Sequence, residues 1–156
     1  MSSDPTADDE RLPSQVREKI LAEHAKLRTR IGELRAVLDE VGDAAASTRD
    51  DLRRSVLDLL TALEAHIDHE DEVLLPTLRT IDAWGEERAR RLGAEHAEQR
   101  TWIAEQRAKI GAGPIRVAAV RAFLDRLEKD MEVEEASSLS PDLLTEYPFP
   151  VDLGGA

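Results

Sequence analysis

The chain has 156 residues, of which 41% are hydrophobic, 35% are charged and only 3% are aromatic, and its formal net charge is −12. This length suits one domain with a buried core, and the scarcity of aromatic residues argues against a β-sandwich or a β-barrel. So acidic a chain repels phosphate backbones, which argues against a nucleic-acid partner, and no apolar run approaches the roughly 20 residues of a membrane span.

The first predicted element is a long amphipathic helix that begins at Pro13. Apolar residues recur over residues 16–41 about once per helical turn of about 3.6 residues, which is typical of a helix that buries one stripe. One position on this stripe holds a histidine, His24. We expect the helix to end near Gly42.

The second predicted helix begins after a capping signal at Ser47-Thr48 and ends at Pro76, because a proline inside a helix removes a hydrogen bond. Its apolar stripe is interrupted by His66 and, one turn later, by Glu70. Polar residues inside a buried stripe need partners, so both side chains are candidates for function.

The third predicted helix has His96 on its stripe and ends before Pro114, which suits the first turn of a fourth helix. The fourth helix carries Met131 and Glu135 on its stripe, and we expect it to end at Pro141. Four helices with short connections predict an all-α fold, an up-down-up-down antiparallel four-helix bundle.

The expected organisation is a single bundle with a short extension at each end. Residues 1–12 are predicted to form a flexible leader, residues 13–141 the bundle and residues 142–156 an irregular C-terminal tail. The leader is polar and acidic and has no signal-peptide core, so we expect a cytoplasmic protein.

The residues that interrupt the four stripes are expected to meet at one level of the bundle. Each interruption lies about ten residues, or about 15 Å, from the same end of the bundle, because the helices alternate in direction. The two glutamates each follow one turn later on the same face. The side chains brought together are three imidazoles and two carboxylates: His24, His66, Glu70, His96 and Glu135.

Such a polar layer needs a partner, because a buried carboxylate or imidazole alone costs several kcal/mol. The five side chains could satisfy one another by hydrogen bonds, but a bound cation would do so better. Histidine and glutamate ligands in a chain without cysteine favour iron, as one or two ions, with manganese or zinc as alternatives.

The chain also contains an internal repeat. The pattern Glu-His-Ala-x-x-Arg occurs at residues 23–28 and again at residues 95–100, and the second and fourth predicted helices match at several positions. Two helical hairpins of the same plan would pack about a pseudo-two-fold axis. Such an axis could present a pair of metals bridged by Glu70 and Glu135.

This pattern resembles the hemerythrin-like family of HHE cation-binding domains. The pattern consists of one histidine on each of the first and third helices, His-x-x-x-Glu on the second and a glutamate on the fourth. The segment from His66 to Pro76 is very similar to the signature of the family's second helix. The resemblance covers about residues 14–141 and implies an antiparallel four-helix bundle around a non-haem di-iron centre. The implied ligands are His24, His66, Glu70, His96 and Glu135, with the two glutamates bridging.

The sequence departs from the family pattern at Met131, where the fourth helix normally has a histidine. A thioether is a poor ligand for iron, so the second metal position would lose its nitrogen. Water, another carboxylate (Asp130 or Glu134) or an empty position would replace it, and the centre would be mononuclear, asymmetric or decayed. Arg100 stands where oxygen-carrying members have a second histidine, so a reversible O₂ carrier with their full ligand set is not expected.

Three functions are compatible with these residues. The favoured one is a non-haem iron oxidoreductase that reacts with or binds O₂, NO or peroxide, the chemistry that the resemblance implies. The alternatives are a metal- or redox-sensing binding module without turnover and a structural bundle with a vestigial polar layer. The expected partner is a small molecule, with no membrane or nucleic acid, and the residues identify no protein partner.

Overall fold

A computed structural model describes residues 12–42 and 46–146. The four helices that it contains confirm the predicted fold class. None of them is both long and apolar enough to span a lipid bilayer. Residues 1–11 of the predicted leader and residues 147–156 of the predicted tail lie outside the described residues. The helices are α1 (Pro13–Val41), α2 (Asp50–Ile81), α3 (Gly85–Gly111) and α4 (Val117–Ala136).

Ion pairs between the helices show that α1 runs antiparallel to α4 and α2 antiparallel to α3. Arg35 of α1 donates a hydrogen bond to Asp125 of α4 at 2.7 Å. Arg28, which lies earlier in α1, instead bonds Glu135, which lies later in α4. The same reversal relates α2 to α3, through the pairs Glu64–Arg107 and Asp71–Arg100.

Two short strands that the sequence analysis did not anticipate lie at one end of the bundle. Strand β1 (Ala46–Ser47) precedes α2 and pairs antiparallel with β2 (Ile115–Arg116), which precedes α4. The ribbon therefore ties the α1–α2 connection to the α3–α4 connection. The predicted place of Pro114 in the first turn of the fourth helix is wrong, because the residues that follow it are extended and paired in β2.

The predicted ends of two helices are also wrong. Helix α2 continues through Pro76 to Ile81, because Leu78 carries the buried stripe past the proline and its packing outweighs one lost hydrogen bond. Helix α4 ends at Ala136, well before Pro141. The chain beyond it turns back so that buried residues such as Leu139 pack at the end of the bundle.

The apolar core is divided into two clusters. The larger cluster includes Leu27 of α1 and Ile103 of α3, and the smaller one includes Ile20 of α1 and Leu92 of α3. On both helices the histidine of the stripe lies between the two clusters in sequence. The polar layer therefore crosses the bundle as a break between two apolar regions.

Gly85 generates a prediction about the contact between α2 and α3. A Cβ atom at this position would overlap the carbonyl oxygen of Leu78 and lie 2.7 Å from that of Arg79, both of them backbone atoms. We expect Gly85→Ala to lower the free energy of unfolding by about 1–3 kcal/mol, measured by urea denaturation.

The matched control is Gly32→Ala in the exposed middle of α1, where an added Cβ meets no atom within 4 Å. This substitution should raise the free energy of unfolding by about 0.5–1 kcal/mol, because alanine loses less backbone entropy in a helix. Equal stabilities of the two variants would contradict the close approach of α2 and α3 at Gly85.

Candidate metal centre

Four of the predicted site residues are buried between the two apolar clusters. His24 of α1, Glu70 of α2 and His96 of α3 are each 1% exposed, and His66 of α2 is 6% exposed. They lie on three different helices and contact one another through their side chains. The structure therefore brings together three imidazoles and one carboxylate that the sequence analysis placed at one level.

The Glu70 carboxylate connects the three imidazoles. Its Oε1 atom lies 2.5 Å from Nε2 of His66 and 3.6 Å from Nε2 of His24. Its Oε2 atom lies 2.9 Å from Nε2 of His96. The two oxygens of Glu70 thus face different sides of the centre, with two imidazoles on one side and one on the other.

The carboxylate that α4 contributes to this group belongs to Glu134. Its Oε1 atom lies 3.4 Å from Nε2 of His24, and the side chain is 14% exposed. One potential ligand atom from each of His24, His66, Glu70 and Glu134 lies within 4.8 Å of the others. The signal for Glu134 is its position three residues after Met131, because i+3 and i+4 share a helix face. The sequence analysis named it only as a possible replacement ligand.

The predicted ligand Glu135 lies outside this group. Both of its oxygens accept hydrogen bonds from Nη2 of Arg28 at 2.8 Å, and its Oε2 atom lies 3.0 Å from Nδ1 of His24. Glu135 therefore contacts the ring of His24 at the nitrogen opposite to the one that Glu134 approaches. It supports the histidine from behind instead of facing the centre.

Each buried histidine has a carboxylate at its Nδ1 atom. Because an ionised carboxylate can only accept, Nδ1 donates in every pair. A neutral ring that donates from Nδ1 keeps its lone pair on Nε2, and in all three rings Nε2 points toward the centre. Carboxylates hold metal-ligating histidines in this way. The pairs are His24–Glu135 at 3.0 Å, His66–Glu23 at 3.2 Å and His96–Asp71 at 2.5 Å.

The internal repeat accounts for how two of these carboxylates are held. Arg28 follows His24 by one helical turn and binds Glu135, the partner of that histidine. Arg100 follows His96 by one turn and binds Asp71 at 2.5 Å. In the third pair, the second oxygen of the Glu23 carboxylate accepts from Nδ1 of His69 at 2.5 Å.

Several buried polar atoms at the centre lack a well-aligned hydrogen bond, although other imidazole nitrogens and carboxylate oxygens lie close to them. Among the described residues these atoms are Glu70 Oε1, Glu134 Oε1 and His96 Nε2. In addition, Nε2 of His24 lies 3.1 Å from Nε2 of His66, and two lone pairs at that distance repel each other unless a proton or a cation lies between them. A cation with nitrogen and oxygen ligands would satisfy all of these atoms. The side chains present therefore fit a metal ion.

Without a metal, the centre holds protons. Burial opposes protonation of His24, but its contacts with the three surrounding glutamates outweigh burial and raise the pKa of His24 to about 10. Burial and the neighbouring Glu70 raise the pKa of Glu134 to about 7, although His24 acts in the opposite direction. Burial also acts to raise the pKa of Glu70, but contacts with the three imidazoles hold it well below its usual range. A metal ion would take the place of these protons.

A small cavity adjoins the group of ligand atoms. Its volume is about 20 Å³, which is enough for about one water molecule. Its lining includes His24, His66, Glu70 and Glu134 together with apolar side chains such as Met131. The methionine therefore forms part of an apolar wall beside the centre.

Comparison with known proteins agrees with this geometry. The family model described as the Hemerythrin HHE cation binding domain matches residues 15–139, most of the chain. No curated protein and no solved structure gives a significant match. The match spans all four helices and every residue of the polar centre, and we conclude that the chain belongs to the hemerythrin family of HHE cation-binding domains.

Proposed function

We propose that this chain binds iron at the centre formed by His24, His66, Glu70 and Glu134, and that the bound iron reacts with or binds O₂, NO or peroxide. One observation carries the proposal. Carboxylates hold the Nδ1 atoms of the buried imidazoles, and the Nε2 atoms converge with the carboxylate oxygens of Glu70 and Glu134. Several of these converging atoms have no well-aligned hydrogen bond. That arrangement is costly for a buried hydrogen-bonded cluster and favourable for a cation.

The donor set restricts the choice of metal. Imidazole nitrogens and carboxylate oxygens, in a chain without cysteine, suit iron, manganese and zinc. Zinc would be satisfied by four such ligands in a closed tetrahedral site. We propose iron because the family resemblance implies a non-haem iron centre, with manganese and zinc as alternatives that metal analysis separates.

We propose one tightly bound ion per chain. In the described part of the chain, one group of potential ligands meets the distances of a metal site, and it includes neither His96 nor Glu135. His96 contacts the Oε2 atom of Glu70, so it can position that carboxylate from the side away from His66. A second ion beside His96 would lack the nitrogen that family members supply from the position of Met131.

The surrounding residues limit what can reach the ion. The cavity beside the ligand atoms is about 20 Å³ in volume, so it admits a water molecule or a diatomic molecule and excludes larger organic substrates. Ferrous iron bound there would supply an open coordination position and a source of one electron. The protein supplies the fixed imidazoles, the dry wall at Met131 and the carboxylate of Glu134.

The direct test of this proposal is reactivity of the iron-loaded protein. Anaerobically loaded ferrous protein should change its visible absorption and electron paramagnetic resonance on addition of NO, and peroxide or O₂ should oxidise it. His66→Ala should abolish these changes because it removes a ligand. An iron-loaded protein unresponsive to all three molecules would contradict the proposal. If iron still raised the melting temperature, the metal-sensing alternative would be supported.

A second test separates the adjacent glutamates of α4. We expect Glu134→Gln to weaken metal binding more than Glu135→Gln, because Glu134 faces the group of ligand atoms and Glu135 contacts only the far nitrogen of His24. For Glu135→Gln we expect a loss of about 10–100-fold in affinity, typical of a residue that supports a ligand. Metal affinity is measured by competition with a chelator.

The melting temperature of the metal-free variants provides the control. Glu135→Gln should lower it, because the variant loses the ion pair with Arg28. Glu134→Gln should leave it unchanged or higher at pH 8, because burial disfavours the ionised form of Glu134. Loss of metal binding in Glu135→Gln alone would identify Glu135 as the ligand, as the sequence analysis expected.

A further inference from the structure

A second cavity lies near the end of the bundle that carries the β1–β2 ribbon. Its volume is about 260 Å³. It lies far from the metal centre, because one of its lining residues, Val120, precedes Glu134 on α4 by about 20 Å at about 1.5 Å per residue. Its floor is apolar and consists of buried side chains from α2, α3, β2 and α4: Val56, Ile110, Ile115, Val120 and Phe123.

Two cations line the exposed side of this cavity. Lys109 at the end of α3 and Arg116 of β2 are both exposed, and within residues 12–42 and 46–146 neither side chain has a hydrogen bond or an ion pair. None of the described lining residues is a carboxylate, whereas Glu70 and Glu134 line the cavity of the metal centre. In a chain with 33 acidic and 21 basic residues, the part of the chain that the structure describes leaves positive charge uncompensated here.

We propose that this cavity binds a small amphipathic organic acid, a carboxylate of about eight carbons in all. The volume accommodates roughly nine non-hydrogen atoms, at about 30 Å³ for each, the share of a water molecule in the liquid. The tail lies on the apolar floor, and the carboxylate pairs with Lys109 and Arg116. The amide of Gln106, also in the lining, can donate a further hydrogen bond.

The chain contains a reporter for this site. Trp102 of α3 stacks on Phe123, with ring centroids 4.8 Å apart, and Phe123 forms part of the cavity floor. The sequence has two tryptophans, and the other one, Trp84, is 70% exposed. The variant Trp84→Phe therefore leaves a single indole whose fluorescence responds when a ligand contacts Phe123.

The experiment is a fluorescence titration of the metal-free, full-length Trp84→Phe protein with three probes. Octanoate should bind saturably with one molecule per chain. Octanol has a similar tail without the charge and should bind at least about tenfold more weakly than octanoate. Acetate lacks the tail and should give no response. Absence of saturable octanoate binding would overturn the proposal, and because no metal is present, that result would leave the proposed iron chemistry untouched.

Two sets of variants locate the binding. Lys109→Gln with Arg116→Gln should weaken octanoate binding about tenfold and leave octanol binding unchanged, whereas Lys26→Gln with Lys129→Gln removes equal charge away from the cavity and should change neither. Ala119→Leu, in the lining, should weaken octanoate and octanol alike, while its exposed neighbour Ala118→Leu should not. If the cavity variants and their matched controls bound octanoate with equal affinity in either set, the assignment of the site would be overturned.

Discussion

The hydrogen bond from Nδ1 of a buried histidine to a carboxylate, made three times, is the interaction on which the centre depends. It determines which nitrogen of the neutral ring carries the proton, and so it turns the Nε2 atom of each imidazole toward the interior. The carboxylates are themselves held, since Glu135 is fixed by Arg28 and Asp71 by Arg100. The Nε2 atom of every ring is thus turned toward the interior by carboxylates that lie on its other side.

This arrangement has a cost, and the rest of the fold offsets it. The polar layer interrupts the apolar core and brings together carboxylates and imidazoles whose burial alone is unfavourable. Two apolar clusters on either side of the layer keep the helices at the spacing that the layer needs. Because the residues that could hold a metal come from α1, α2 and α4, a bound ion would link three helices and stabilise the bundle as a whole.

The sequence predicted the helices well, because each buries a stripe with helical period, and it predicted that His24, His66, Glu70 and His96 lie together. Its errors have identifiable causes. Packing of Leu78 carries α2 past Pro76, and pairing of β1 with β2 delays the start of α4. Both effects depend on contacts with residues distant in sequence.

Glu134 and Glu135 share a helix face closely enough that periodicity cannot separate them, and their contacts with His24 and Arg28 distinguish them. The carboxylate at each Nδ1 atom comes from a different helix than its histidine, so no local motif reveals it.

The most direct test of the centre is a calorimetric titration of the metal-free chain with ferrous iron under anaerobic conditions, repeated in two buffers of different ionisation enthalpy. We expect one ion to bind per chain and protons to be released at pH 7, because the ion displaces protons that the raised pKa values of His24 and Glu134 retain in its absence. Absence of binding, or binding whose heat is the same in both buffers, would contradict an ion held by the Nε2 atoms and carboxylates of the polar layer.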